Sequence, residues 1–297
     1  MRSSPVEAYR RARSSVRQTL HEVARGAALL VTPRGPEALY ELLSAHNNLG
    51  RDSLFLNMGY WREARDYDGA CEALALLVAE VAGLGPGLRV FDAGFGFGDQ
   101  DLLWAERFGV EIIGLNVTAS QVRVARDRVR RAGRGDQIDL RHGDALSTGL
   151  PDASVDRVIA LESAFHFPSR ERFFAEAARV LRPGGRLVVA DLVPRARDSR
   201  RLIDRVGKRI ARAFWQIPAE NDYGRQAYIE KLQGAGFKAS RVLDITADVF
   251  EPFGRFARQR QAEADVAARA NPMLRAVWRA PSATGVFDYL IFCAEVS

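Results

Sequence analysis

Val-Phe-Asp-Ala-Gly-Phe-Gly-Phe-Gly-Asp-Gln, residues 90–100, is the stretch that decides the fold. An apolar run from Leu88 ends in glycines at alternate positions, Gly94, Gly96 and Gly98, and a helical pattern follows over Gln100–Phe108. That is a strand passing through a sharp turn into a helix. Glycines let the backbone turn tightly and approach a ligand closely. The helix that follows offers N–H groups without intrahelical partners. The spacing is GxGxG, which does not satisfy the GxGxxG dinucleotide fingerprint. Asp92, just before the glycines, would repel a pyrophosphate placed beside it; an uncharged or cationic adenosyl ligand suits an acid better.

Working outward, strands and helices alternate. VEIIGLNV reads as a second strand, Ala119–Gly133 as a second helix, and QIDLRHGDA as a third strand. DRVIALESAF is a fourth strand running into a loop. Arg170–Leu181 reads as a helix closed by RPGG, and RLVVADLV as a fifth strand. Repeated units of this kind imply an α/β fold, a Rossmann-like and mostly parallel seven-stranded sheet with helices on both faces. Ligands in such sheets bind beyond the carboxyl ends of the strands.

Upstream, residues 1–85 read as an N-terminal helical cap. Ser3–His21, Pro36–Asn47 and Asp68–Ala82 have helical apolar spacing, and the aromatic connector Arg51–Trp61 separates the last two. Residues 86–195 form the core. Residues 196–297 supply lid helices and the strands that complete the sheet. An Arg-rich helix covers Asp198–Arg212, a helix Arg225–Ala235 ends at Gly236, and Ser240–Ile245 is a strand. Glu251–Trp278 is mostly helical with a break at Pro272, and Val286–Val296 is the last strand.

Composition narrows the function classes. The 297 residues are 47% hydrophobic and 27% charged, ordinary for a globular chain that can bury a core without staples. The only cysteines are Cys71 and Cys293, which excludes a disulfide scaffold or a cysteine-based metal site and fits a reducing cytoplasm. No apolar run approaches a membrane span, and the N-terminus lacks the apolar core of a secretory signal. Its resemblance to an Arg-rich transit peptide is interrupted by Glu7 and Glu22. The net charge is +6, but all but three of the 43 basic residues are arginines, scattered along the chain. That skew fits a GC-rich genome better than the concentrated basic stripe of a nucleic-acid binder. No His/Asp/Glu cluster has metal-ligand spacing, so no metal is expected.

VFDAGFGFG resembles the first motif of class I S-adenosylmethionine-dependent methyltransferases. The resemblance continues in order with GLNVTASQV after the second strand, GDA after the third, ALESAFHF after the fourth and VLRPGGRLVVAD around the fifth. It spans Leu88 to Pro194. The resemblance implies S-adenosylmethionine as cofactor, with Gly94, Gly96 and Gly98 under its methionine part and Asp92 near its ammonium. It places Asn116 toward the ribose, Asp144 and Ala145 at the adenine, Leu161 and Glu162 on the methionine side, and Gln121 among the cofactor-binding residues. Most relatives carry an acid where Asn116 stands; Asn here is similar to sterol and tocopherol branches. Phe95 and Phe97 replace small or hydroxyl residues and suggest a drier floor. Upstream, Asn57-Met58-Gly59-Tyr60-Trp61 resembles the GYW segment of small-molecule methyltransferases, whose aromatic pair closes over the cofactor.

Each role has a structural alternative. Tyr60 and Trp61 close over the cofactor or staple the cap. His166, facing the transferred methyl in this family, is a base or a hydrogen-bonded structural histidine. Glu162 contacts the sulfonium, acts as a base, or accepts loop N–H groups. Ile217–Tyr223 lies where relatives contact substrate. Phe250, Phe253 and Phe256 belong to core or pocket, Trp104, Trp215 and Trp278 to packing or pocket lining. The Asp198–Arg212 helix is a solvated face or a lid. The expected activity is methyl transfer to a hydrophobic small molecule, first O-methylation of a hydroxyl or carboxylate of a lipid or specialised metabolite. C-methylation of an isoprenoid or its diphosphate is the alternative. A nucleic-acid methyltransferase is disfavoured because ESAF stands where its NPPY-type tetrapeptide belongs; a binding module and a cyclopropane synthase are further alternatives. The expected partners are that small-molecule acceptor and a second copy of the chain in a homodimer, with no nucleic acid.

Overall fold

The computed structural model describes residues 45–195, 212, 215–238, 241–272, 275, 278 and 285–296. The helices expected over Ser3–His21 and, but for Arg212, Asp198–Arg212 lie outside the described residues. So does most of Pro36–Asn47, whose end forms a 3-10 turn, Ala45–Asn47.

One sheet contains β1 (Arg89–Ala93), β2 (Glu111–Asn116), β3 (Ile138–His142), β4 (Val155–Leu161), β5 (Leu181–Pro194), β6 (Arg241–Asp244) and β7 (Phe287–Glu295). Its order is β3-β2-β1-β4-β5-β7-β6. Strands β1 to β5 pair in parallel, and β7 runs antiparallel to both neighbours. This is the Rossmann-like sheet expected. Described helices are α1 (Tyr67–Ala82), α2 (Asp99–Phe108), α3 (Ala119–Arg131), α4 (Arg170–Val180), α5 (Arg225–Gly234), α6 (Thr246–Arg260) and α7 (Ala264–Arg269).

The period-2 alternation of the strands fills a core on each face. Val90, Ile159, Val188 and Ala190 join one apolar cluster with α1 and Trp104 of α2. Their neighbours Phe91, Val158, Leu187 and Val189 join the other, with Phe173 and Phe174 of α4. Helix α1 starts where the Asp66 carboxylate accepts the Gly69 N–H at 2.8 Å and stops at Gly83, φ 61°. Its Leu74, Ala75 and Val78 share a cluster with Val90, and the Trp104 indole donates to the Ala75 carbonyl at 2.9 Å. Packing is therefore continuous across residue 85.

Two local expectations change. RPGG does not end β5's approach as a turn; pairing jumps from Val155↔Leu181 to Arg157↔Arg186, so Arg182–Gly185 is a bulge within the strand. The helix expected over Glu251–Trp278 with a break at Pro272 is already interrupted after Arg260; α7 then ends at Arg269, with Ala270 extended just before Pro272, and Pro252 sits inside α6. Phe250 is core, while Phe253 and Phe256 are partly buried against that core. Among the described residues no helix is long and apolar enough to cross a membrane.

Candidate active site

The strand order reverses between β1 and β4, and a cavity of about 290 Å3 lies there. Its wall comes from the carboxyl ends of β1, β2, β3 and β4 and from Leu54–Asn57 of the N-terminal connector. This is where a doubly wound sheet leaves room for a ligand.

The glycines after β1 have three separate jobs. Gly94, φ 101°, donates its N–H to the Leu115 carbonyl at 2.8 Å, and a Cβ there would come within 2.6 Å of the Ser163 Cβ. Gly96, φ 57°, lines the cavity; the nearest atom to its Cβ position is Leu56 Cδ1 at 3.6 Å. Gly98, φ 79°, caps α2 and faces Ala125 and Leu140, each 3.3 Å from its Cβ position. It is absent from the wall, so its demand for glycine comes from helix–sheet packing rather than from a cofactor floor. Phe97 lines the cavity; Phe95 is fully buried over Gly114. The loop is clamped by Asp99, which accepts the Leu54 N–H at 3.1 Å and takes two bonds from Arg128, at 2.5 and 2.7 Å. Arg128 also donates to the Phe97 carbonyl at 2.7 Å.

Asp92 does not reach the wall. It is fully buried behind the loop, where its Oδ2 accepts from Gln100 Nε2 at 3.1 Å. Gln100 itself lines the cavity. Asp92 Oδ1 and both carboxylate oxygens of the fully buried Asp101 find no other donor. With both groups ionised, three buried oxygens would be unpaired beside one another; a proton held between the carboxyls resolves this. Burial pushes Asp92 up to about 7 and Asp101 upward too, the latter also raised by the Asp92 charge.

After β2, Asn116 lines the cavity with its amide fully used. Its Oδ1 accepts the Thr118 N–H at 3.0 Å; its Nδ2 donates to Gln121 Oε1 at 2.9 Å and Gly96 O at 3.3 Å. Gln121 is in the same wall, as are Asp144, Ala145 and Leu161. Asp144 Oδ1 accepts the Leu146 N–H at 2.9 Å.

Glu162 and His166 share the wall beyond β4. Glu162 has φ 51°, unusual for a side-chain-bearing residue. Its Oε1 accepts both the Met58 N–H and the Tyr289 hydroxyl, each at 2.8 Å. Burial pushes its carboxyl up to about 7, against the pull of those two donors. His166 is 4% exposed, and burial drives it down to about 3 despite a bond to the Gln216 backbone. Its imidazole is therefore neutral across ordinary pH.

Tyr60 and Trp61 are not in the described wall. Gly59, φ 78°, packs on α1 so closely that a Cβ would lie 2.7 Å from that of Ala70. Tyr60 N–H then donates to the Ala70 carbonyl, and Trp61 N–H to that of Asp248. The Trp61 ring stands 5.3 Å from Phe256 and 6.5 Å from Tyr67. The pair thus staples α1 to α6, and its neighbours Asn57 and Met58 reach the site instead. Trp104 is packing; Trp215 lies edge-on to Phe165 at 6.5 Å. Asn221 in Ile217–Tyr223 holds the loop after β4 through Phe167 O at 2.7 Å. The Leu54–Leu56 wall, Gln100 and Ser163 were given no role from sequence; the apolar run Leu54-Phe55-Leu56 in the connector was the available signal.

These residues fit an adenosyl sulfonium ligand. Gly96 borders the cavity with no close neighbour at its Cβ position, and Asp144 and Glu162 supply acceptors. Among the described residues no Lys or Arg lines the cavity.

A family model described as a methyltransferase domain matches residues 91–189. Erythromycin 3''-O-methyltransferase of Saccharopolyspora erythraea is 34% identical over 219 residues, 72% of this chain and 72% of that one. The 27-O-demethylrifamycin SV methyltransferase of Amycolatopsis mediterranei is 40% identical over 146 residues, 47% of this chain and 52% of that one. The crystal structure of the (4+2) cyclase SpnF has a TM-score of 0.67 and 26% identity, covering 93% of this chain and 95% of that one. Geranyl diphosphate C-methyltransferase from Streptomyces coelicolor shares the fold, with a TM-score of 0.68 and 19% identity over 90% of this chain and all of that one. On the glycine loop, the strand order and a relative matched over most of both chains, the protein belongs to the class I S-adenosylmethionine-dependent methyltransferases.

Proposed function

We propose that the protein methylates a hydroxyl group of a hydrophobic natural product. The observation that carries this is the shared wall of Glu162 and His166, two proton acceptors beside the apolar Leu54, Phe55, Leu56 and Phe167. A hydroxyl must lose its proton as it attacks, and a positioned base assists that step. A carboxylate acceptor needs no base and would meet the Glu162 charge. The relatives' names, erythromycin 3''-O-methyltransferase and 27-O-demethylrifamycin SV methyltransferase, support the same reading.

S-adenosylmethionine supplies an electrophilic methyl when bound. In this reading Gly94 and Gly96 leave room for its methionine part, and Asn116, Gln121, Asp144, Ala145 and Leu161 wall its adenosyl part. Asp92 acts through Gln100, and Tyr60 and Trp61 act by fixing Asn57 and Met58. Glu162, near 7, is better matched as a base at neutral pH than His166, near 3. His166 then orients the hydroxyl. The protein's larger contribution is alignment and exclusion of water.

The test is an assay with methyl-labelled S-adenosylmethionine against 3''-O-demethylated erythromycins, 27-O-demethylrifamycin SV, a free fatty acid and geranyl diphosphate. Label in a hydroxyl-bearing acceptor is expected. Label in geranyl diphosphate alone would select C-methylation of an isoprenoid, whose diphosphate needs cations that the described wall lacks. Label in the fatty acid alone would select a carboxylate.

A further inference from the structure

Glu162 is held by two donors from opposite ends of the chain. The Met58 N–H comes from the N-terminal connector and the Tyr289 hydroxyl from β7, 104 and 127 residues away in sequence. Both address Oε1. No other hydrogen bond to the carboxylate exists among the described residues, so Oε2 keeps its accepting capacity, and Glu162 lines the cavity. Tyr289 is a rigid donor. It is fully buried, its N–H is fixed to Thr246 Oγ1 at 2.9 Å, and its ring meets Phe250 at 6.0 Å, nearly perpendicular. Burial and the Glu162 charge raise its phenol well above the usual range, so it stays protonated and donates at every working pH.

We propose that Tyr289 is a positioning residue: with the Met58 amide it pins Glu162 Oε1, turns Oε2 to the acceptor and keeps the carboxylate available as a base. The proposal rests on the methyl-transfer reading for the purpose of that base, but not for the placement itself. A hydrogen bond to a carboxylate favours its ionised form, and loss of one donor raises its pKa. Burial alone would leave Glu162 mostly protonated at neutral pH; the two donors oppose this and bring the balance to about 7. The groups that face Glu162 are Tyr67 and Cys71 on α1, Asp191 on β5 and Tyr289 itself. Asp191 is the only ionised neighbour among them at neutral pH, and Arg170 pairs with it. Asp92, behind Gln100, is also pushed up to about 7, so the Glu162 step in that window is the one that disappears in Glu162→Gln. Because one donor lies on the connector that builds the cavity wall, docking of that segment and ionisation of the base are linked.

The bland alternative is that Glu162 merely satisfies a buried phenol. Infrared difference titration of the full-length protein, from about pH 5 to about pH 9, separates the two, with Glu162→Gln identifying the carboxyl band. The expected midpoint is near 7 in the wild type. In Tyr289→Phe it rises by about one pH unit, a tenfold weaker acid. Site-specific 3-fluorotyrosine at position 289, a stronger donor, lowers it, and serves if the Phe variant fails to fold. A midpoint unmoved by either change overturns the proposal. In the methyl-transfer assay, Tyr289→Phe lowers the rate of the wild type several-fold but adds nothing in the Glu162→Gln background; an additive loss means a structural role and overturns it. Calorimetric titration of wild type with S-adenosylhomocysteine reads the underlying function separately. Absence of binding there defeats the methyl-transfer reading while leaving the titration result to judge Tyr289.

Discussion

Arg170 and Asp191 form an ion pair at 2.8 Å with neither side chain exposed. Arg170 opens α4, and Asp191 lies in β5. The guanidinium also donates to the Asn221 carbonyl at 2.8 Å and to that of Leu192 at 2.9 Å, and Tyr228 Oη donates to the same Asp191 oxygen at 3.0 Å. Asn221 in turn holds Phe167, next to His166. The pair is therefore the foundation under the loop after β4.

Removing one partner of a buried pair leaves an uncompensated charge, which costs about 3–5 kcal/mol. Arg170→Met is expected to lose that much in urea unfolding. Arg170→Lys should recover little, because one ammonium cannot reach three acceptors in the guanidinium's planar geometry. A loss below about 1 kcal/mol, the scale of exposed pairs, would contradict this account.

The carboxyl pair Asp92 and Asp101 makes a prediction with a definite sign. Both folded pKa values lie above the unfolded one, so the folded state holds more protons. Stability then falls as pH rises from about 4 toward about 7. Asp101→Asn removes one charge and gives Asp92 a donor. It should unfold at higher temperature at pH 8, by roughly 2 °C or more, and match the wild type near pH 3, where both acids are protonated in either state. A lower Tm at pH 8 would sink the shared-proton arrangement.

Glu162 and His166 can be told apart by pH. Glu162 loses its proton-accepting form as pH falls through about 7, so kcat/KM should drop tenfold per unit below it. His166 titrates near 3 and should leave no limb in that range. Glu162→Gln should lose about 10^2- to 10^4-fold in rate and lose the limb with it. A limb that survives in Glu162→Gln and vanishes in His166→Asn would reverse the assignment.

Gly94 and Gly96 should not be equally sensitive. Gly94→Ala meets the Ser163 side chain at 2.6 Å and has φ 101°. It should lose well over tenfold in S-adenosylhomocysteine affinity by calorimetry. Gly96→Ala meets only ordinary contact at 3.6 Å, so its cost is the left-handed backbone, about 1–2 kcal/mol of stability. Equal losses at both would mean that loop flexibility, not fit, is what these glycines provide.

The sheet and the glycine loop were legible because strand alternation and glycine spacing are local signals. Gly94, Gly96, Asn116, Asp144, Leu161, Glu162 and His166 could be placed after strand ends for the same reason, but the absence of Asp92 and Gly98 from the wall could not be read. The aromatic pair Tyr60 and Trp61 was half legible: stapling was one of its two readings, but its partner Phe256 lies nearly two hundred residues away and only the fold brings them together. In sequence terms Asp101 is an acid in the first turn of a helix, where the dipole favours one. Nothing local says that it faces Asp92 in the interior. Arg170 was one arginine among many until α4 and β5 enclosed it.

Position 162 sets this scaffold's evolvability. Its residue bears a left-handed backbone and a buried charge. Glu162→Gln keeps an oxygen for Met58 and Tyr289 but removes the charge, and above pH 7 that is worth about 2–3 kcal/mol. A laboratory selection for heat resistance alone, run at mildly alkaline pH, should therefore enrich this substitution early and deliver sturdy but inert variants. Screens on this chain need turnover in the selection from the first round.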